Sequence, residues 1–132
     1  MDEKKQLLLK RLIIHRLRQA SRFWIGKREA REKSKLLVPD GMFKNGNPRS
    51  KLKYVCAACL GFFDIKETHM DHINPVIDPN IGFVDWNTYI ERLFVDKDGY
   101  QTLCIPCHTK KTNDEDEGRT YKKTKGRKNG KK

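Results

Sequence analysis

All four cysteines of this 132-residue chain lie in two Cys-x-x-Cys pairs, Cys56/Cys59 and Cys104/Cys107, with 44 residues between the pairs. Thiolates spaced this way on tight turns reach one ion together, and two such turns build a closed tetrahedral zinc site. Four thiolates leave no open coordination position, so the site expected is structural. It constrains the fold, because the two pairs must meet in space and the intervening segment must start and end at one point. That segment is more than double the roughly 15–20 residue gap of an ordinary zinc ribbon. It is therefore expected to be a functional unit held at its base by zinc. The competing use of four cysteines is two disulfides in a secreted domain. The two-residue spacing, and an opening that does not read as a signal peptide, argue instead for reduced thiols in a reducing cytoplasm.

With 36% hydrophobic and 35% charged residues, the chain can bury only a modest core, and a metal staple is expected. The apolar run Leu7–Leu9 is interrupted at Lys10-Arg11, and Leu12–Ile14 at His15-Arg16, so neither can span a bilayer. No membrane partner is expected.

The net charge of +12 is unevenly spread: residues 1–55 carry +11, residues 56–118 carry −7, and residues 119–132 carry +8. Basic arms attract a phosphate backbone through counterion release. An acidic centre repels one unless bound cations neutralise part of it, which fits a metal site there.

Residues 5–31 read as one or two amphipathic helices. Leu8, Leu12, Ile13, Leu17, Ala20, Trp24 and Ile25 recur near helical spacing, and Gly26 is the expected break. Between them lie Arg11, Arg18, Arg22 and Arg28, the candidate contacts to a DNA backbone. Pro39-Asp40-Gly41 and Asn45-Gly46-Asn47-Pro48 are turn signals, which predicts a loop over 38–50. Tyr54 to Phe63 reads as strand, knuckle, strand, and residues 68–77 as a further extended segment. Asp85 is the predicted N-cap of a short helix, with Trp86, Ile90 and Phe94 in a small core beneath the insert. Asp98-Gly99 is a turn, and Pro106 lies near the first turn of a final helix. From Gly118 onward the composition cannot bury a core, which predicts disorder.

Within the insert, Asp71 and His72 are adjacent, and His108 follows directly on the last thiolate. On an extended segment, neighbours point to opposite faces, so one of Asp71 and His72 can bind metal while the other addresses a water. One carboxylate and two imidazoles suit a hard, open, hydrolytic site. His69 is read as a strand-surface or structural residue.

Taken together, Cys56-x-x-Cys59, Met70-Asp71-His72-Ile73-x-Pro75-Val76 and Leu103-Cys104-x-x-Cys107-His108-x-x-Lys111-Thr112 resemble the HNH endonuclease family. The resemblance covers residues 54–113 and is nearest to the small HNH nucleases of tailed bacteriophages. It extends to Trp86…Tyr89-Ile90-x-Arg92-Leu93-Phe94 and to the leader Leu17-Arg18-x-Ala20-Ser21-x-x-Trp24. It implies an α+β fold: a small zinc-stapled β-β-α-metal module over 51–118, a basic helical arm and loop over 1–50, and a disordered basic tail over 119–132. It also implies a metal-dependent DNA endonuclease or nickase in the host cytoplasm. His72 matches the general base, Asp71 and His108 the ligands of a catalytic Mg²⁺ or Mn²⁺ (Ni²⁺ being a further candidate), and Lys111 a phosphate contact. Cys56, Cys59, Cys104 and Cys107 would hold structural Zn²⁺. One position departs: the family's central Asn falls at Gly99, with Asn87 a candidate substitute from the insert. The departure is the best support for the alternative, a non-catalytic zinc-containing DNA-binding protein or accessory to a phage packaging protein.

If the basic arms carry binding, deleting residues 119–132 removes eight cations. DNA affinity should fall, and the slope of log affinity against log salt, read by fluorescence anisotropy, should become shallower. An unchanged slope would move the phosphate contacts to residues 11–31.

Overall fold

A computed structural model describes residues 1–116, so the expected disordered tail lies outside the described residues. The described chain is a small α+β structure of four helices and two antiparallel sheets. Helix α1 (Glu3–Ser21) starts at Asp2, whose carboxylate accepts the Lys5 N–H at 2.8 Å. Helix α2 (Ile25–Lys33) follows after a three-residue corner.

The corner does not fall at Gly26, as the sequence suggests. Trp24 takes extended backbone there, and its indole N–H donates to the Val95 carbonyl at 2.6 Å. Gly26 lies inside α2, buried, where a Cβ would come within 2.6 Å of Trp24 Nε1 and 2.7 Å of the Val95 oxygen. The glycine is there for close approach rather than to break a helix.

The loop expected over 38–50 is instead most of a β-hairpin, β1 (Lys35–Met42) and β2 (Pro48–Val55). The turn residues are accommodated within it. Pro39 sits on an edge strand, where its missing N–H costs no ladder bond. Gly41 and Gly46 take positive φ, at the bulge and the hairpin tip. The same pairing places the expected 50/51 domain boundary inside β2. The arm is tied to the rest by the Val55 N–H donating to Ser34 O (2.9 Å) and by Thr102 Oγ1 on Ser34 Oγ (2.8 Å).

The short β3 (Phe62–Phe63) extends that sheet beside β2. The second sheet pairs β4 (Thr68–His72) with β5 (Tyr100–Cys104), Asp71 opposite Gln101 and His72 opposite Tyr100. Helix α3 (Trp86–Leu93) lies between them in sequence, capped as expected by Asp85 accepting from Thr88 N at 2.7 Å. A last helix, α4, covers residues 105–116 and leaves β5 without a loop.

Two small cores result. One is Cys56, Leu103 and Cys104, with Phe63 and Cys107 against them. The other is Val76, Tyr89 and Leu93, flanked by Trp86, Phe94 and, from α1, Ile14 and Leu17. Ile90 is not part of it and is exposed, as are Leu8 and Leu12 of the expected stripe. The apolar contacts of α1 with that core come from its C-terminal half, while Lys10 lies over the Phe83 ring at 3.8 Å. Among the described residues, no helix is long and apolar enough to cross a membrane.

An ordinary Gly→Ala change inside a helix stabilises by about 1 kcal/mol. The packing around Gly26 reverses that sign, and Gly26→Ala should destabilise by roughly 1–3 kcal/mol in thermal unfolding. A stabilised variant would contradict the Trp24–Val95 contact.

Candidate metal centre and active site

The four cysteine sulfurs lie within 4.8 Å of one another, with Cys59 and Cys104 at 3.9 Å. A tetrahedron with Zn–S bonds of about 2.3 Å has edges of about 3.8 Å, so the donor set fits one such ion. Local backbone shapes the first knuckle. Leu60 takes φ +62°, its N–H donates to Cys56 O (2.9 Å), and the Cys56 N–H donates to Gly61 O (3.0 Å). Gly61 has no room for a side chain, since a Cβ would meet the Phe63 ring at 2.8 Å. The Ala57 N–H donates to Thr102 O at 2.8 Å, which docks the knuckle on β5.

Thiols this close cannot all ionise unaided. Burial opposes charge at Cys56, but backbone N–H groups at Cys59, Cys104 and Ala58 hold its thiol down at about 6. Hydrogen bonding with Cys104, and burial, push Cys107 up to about 12. A divalent ion takes the place of the protons that otherwise keep such a cluster neutral.

Asp71 faces the start of α4. Its Oδ2 accepts from Gln101 Nε2 (3.0 Å) and from the Lys111 ammonium, which also donates to the His72 carbonyl at 2.7 Å. Both donors hold the same oxygen, and Oδ1 is left facing His108 Nε2 at 3.9 Å. A single cation with bonds of about 2.1 Å can bridge that span, and one carboxylate with one imidazole is a suitable partial shell for it. The His69 ring packs against that of His108, centroids 5.0 Å apart, and so braces a candidate ligand.

His72 is half-buried. Its Nε2 lies 2.8 Å from the Leu93 carbonyl oxygen, and its ring packs at a 54° tilt against that of Tyr100, centroids 4.7 Å apart. A carbonyl only accepts, so Nε2 carries the proton and Nδ1 of the neutral ring keeps its lone pair. Burial pushes the His72 pKa below its ordinary value, and the positive charges of Lys27 and Arg18 add to this against the opposing Leu93 carbonyl and Asp71.

Asp71, His72 and His108 line one cleft of about 480 Å³, together with Arg18, Thr112 and Glu115. Arg18 thus comes from α1 to the site, whereas Arg11 on α1, Arg22 at the corner and Arg28 on α2 are exposed away from it. Lys111 is turned inward onto Asp71. Gly99 cannot carry a side chain, since a Cβ would lie 2.5 Å from Val95 Cγ2, and its carbonyl instead accepts the Ile73 N–H at 3.0 Å. Asn87 is exposed on α3. The sequence does not single out Leu93 O and Tyr100, which hold the His72 ring, or Gln101, which the β4–β5 register places directly opposite Asp71.

Replacing Cys56 or Cys107 by Ser should abolish stoichiometric metal uptake and cost the module its fold, because the site's binding energy is folding energy. Zinc content by mass spectrometry and far-ultraviolet circular dichroism would check this; a folded Cys56→Ser variant would contradict it.

No protein-family model, curated protein or solved structure matches this chain, whose own residues and geometry carry its functional reading.

Proposed function

We propose that this protein is a metal-dependent DNA endonuclease or nickase of the HNH type, with Zn²⁺ on the four cysteines and Mg²⁺ or Mn²⁺ at the cleft. The observation that carries the reading is the division of roles between neighbouring residues. His72 has its Nε2 proton committed to Leu93 O, while Asp71 turns one oxygen toward His108. A base and a cation site therefore face one cleft from a single short strand pair, and the helix that follows it supplies the second ligand. The +11 charge over residues 1–55 provides attraction for a polyanion.

His72 Nδ1 takes a proton from a water as that water attacks phosphorus in line. Burial and the nearby Lys27 and Arg18 favour the neutral imidazole that this step needs. What a cation held by Asp71 and His108 would supply is polarisation of the scissile phosphate and stabilisation of the departing 3′ oxygen. Lys111 and Gln101 keep the Asp71 carboxylate turned toward His108. The products are 5′-phosphate and 3′-hydroxyl ends.

Supercoiled plasmid should be nicked or linearised with Mg²⁺ or Mn²⁺. His72→Ala should lose on the order of 10²–10⁴-fold in rate with its fold and DNA binding intact. Asp71→Ala should also lose activity, but excess Mn²⁺ should restore part of it, since the defect is one of metal affinity. Equal rescue of both variants would refute the assignment.

A further inference from the structure

Lys27, in the first turn of α2, is not explained by the fold. It is partly buried, and its ammonium lies 5.8 Å from the centre of the Tyr100 ring, the ring against which His72 packs. Its backbone N–H donates to Trp24 O at 3.2 Å, but among the described residues its ammonium has no hydrogen-bond acceptor and no carboxylate within ion-pair distance. Its charged surroundings work against it. Burial lowers its pKa, and Arg31 and Arg22 lower it further. Arg18 adds a fourth cation on the His72 side. A half-buried ammonium among arginines destabilises the isolated protein, because the Tyr100 ring at 5.8 Å offsets only part of the desolvation and like-charge repulsion. The charge that would offset them is an anion brought from outside.

We propose that Lys27 contacts the substrate, its ammonium donating to a non-bridging oxygen of the phosphate that His72 addresses, on the Tyr100 side of the imidazole. This rests on the nuclease reading for the identity of the phosphate, while its geometry is independent of that reading. The contact differs from those of the exposed arginines. Arg11, Arg22 and Arg28 can follow the backbone at any point, whereas Lys27 shares a ring with the base and is placed to hold one phosphate in register with it. Negative charge accumulates on the non-bridging oxygens as water attacks, so the contact strengthens toward the transition state.

Two measurements on the full chain test this. Lys27→Met keeps the length and removes the charge. At saturating plasmid its cleavage rate should fall on the order of 10²-fold, with KM little changed. Without DNA its melting temperature should equal or exceed that of the wild type, because a repelled ammonium has been removed. Lys27→Arg should recover part of the rate. A structural role would give the opposite pattern, a lowered melting temperature with rate loss tracking unfolded protein. The second measurement does not involve cleavage. Reductive methylation of lysines, mapped by mass spectrometry in EDTA, should show Lys27 protected by a short DNA duplex. Protection without any plasmid cleavage by the wild type would overturn the nuclease reading and leave Lys27 as a phosphate contact. Equal methylation with and without duplex would overturn the Lys27 proposal whatever the plasmid does.

Discussion

The position of each candidate site group depends on the meeting of four sulfurs within 4.8 Å. Cys104 is the last residue of β5 and Cys107 lies in the first turn of α4, so the cluster fixes the angle between strand and helix. Cys56 and Cys59 join from the far side of the insert, and the Ala57–Thr102 hydrogen bond locks their knuckle to the same strand. β4 pairs with β5, and so the clamp sets Asp71 and His72 relative to His108 through only one ladder and one helix turn. A chain this polar has two small cores and little else to hold that geometry.

Within this frame, opposing charges sort the groups of the cleft. Lys111 and Gln101 take one Asp71 oxygen, which leaves the other facing His108. The Leu93 carbonyl accepts the Nε2–H of His72, and burial, helped by Lys27 and Arg18, favours the neutral ring. Neighbouring residues on one strand are thus prepared for different tasks by partners from three other elements. The cations gathered around Lys27 and His72 repel one another in isolation. Arg18, Arg22, Lys27 and Arg31 have no carboxylate partners among the described residues, a pattern that a bound polyanion would relieve.

The parts legible in the sequence were those with local chemistry. The Cys-x-x-Cys spacing predicts the cluster, Asp85 predicts the start of α3, and Asp71, His72 and His108 are read as a group that the structure does bring to one cleft. What escaped depends on long-range contacts. Pro39, Gly41 and Gly46 signal turns, yet they are absorbed by an edge strand, a bulge and a hairpin tip. Gly26 signals a break, yet it marks the place where the α1–α2 corner lies against Val95. Gly99 stands where the HNH resemblance leads one to expect Asn, because Val95 leaves no space for a side chain, and backbone carbonyls at Leu93 and Gly99 brace the site instead. A carbonyl has no sequence signature, and only the fold could reveal that role.

The central claim is that a structural thiolate site and a separate catalytic cation site serve one small module. Brief EDTA treatment of the purified protein, followed on a single sample by zinc content, circular dichroism and plasmid cleavage, tests it most directly. The account predicts that cleavage stops while zinc and fold remain, and that adding Mg²⁺ restores cleavage at once. Cleavage that persists in EDTA with zinc retained, or zinc, fold and activity lost together and not regained with Mg²⁺, would contradict it.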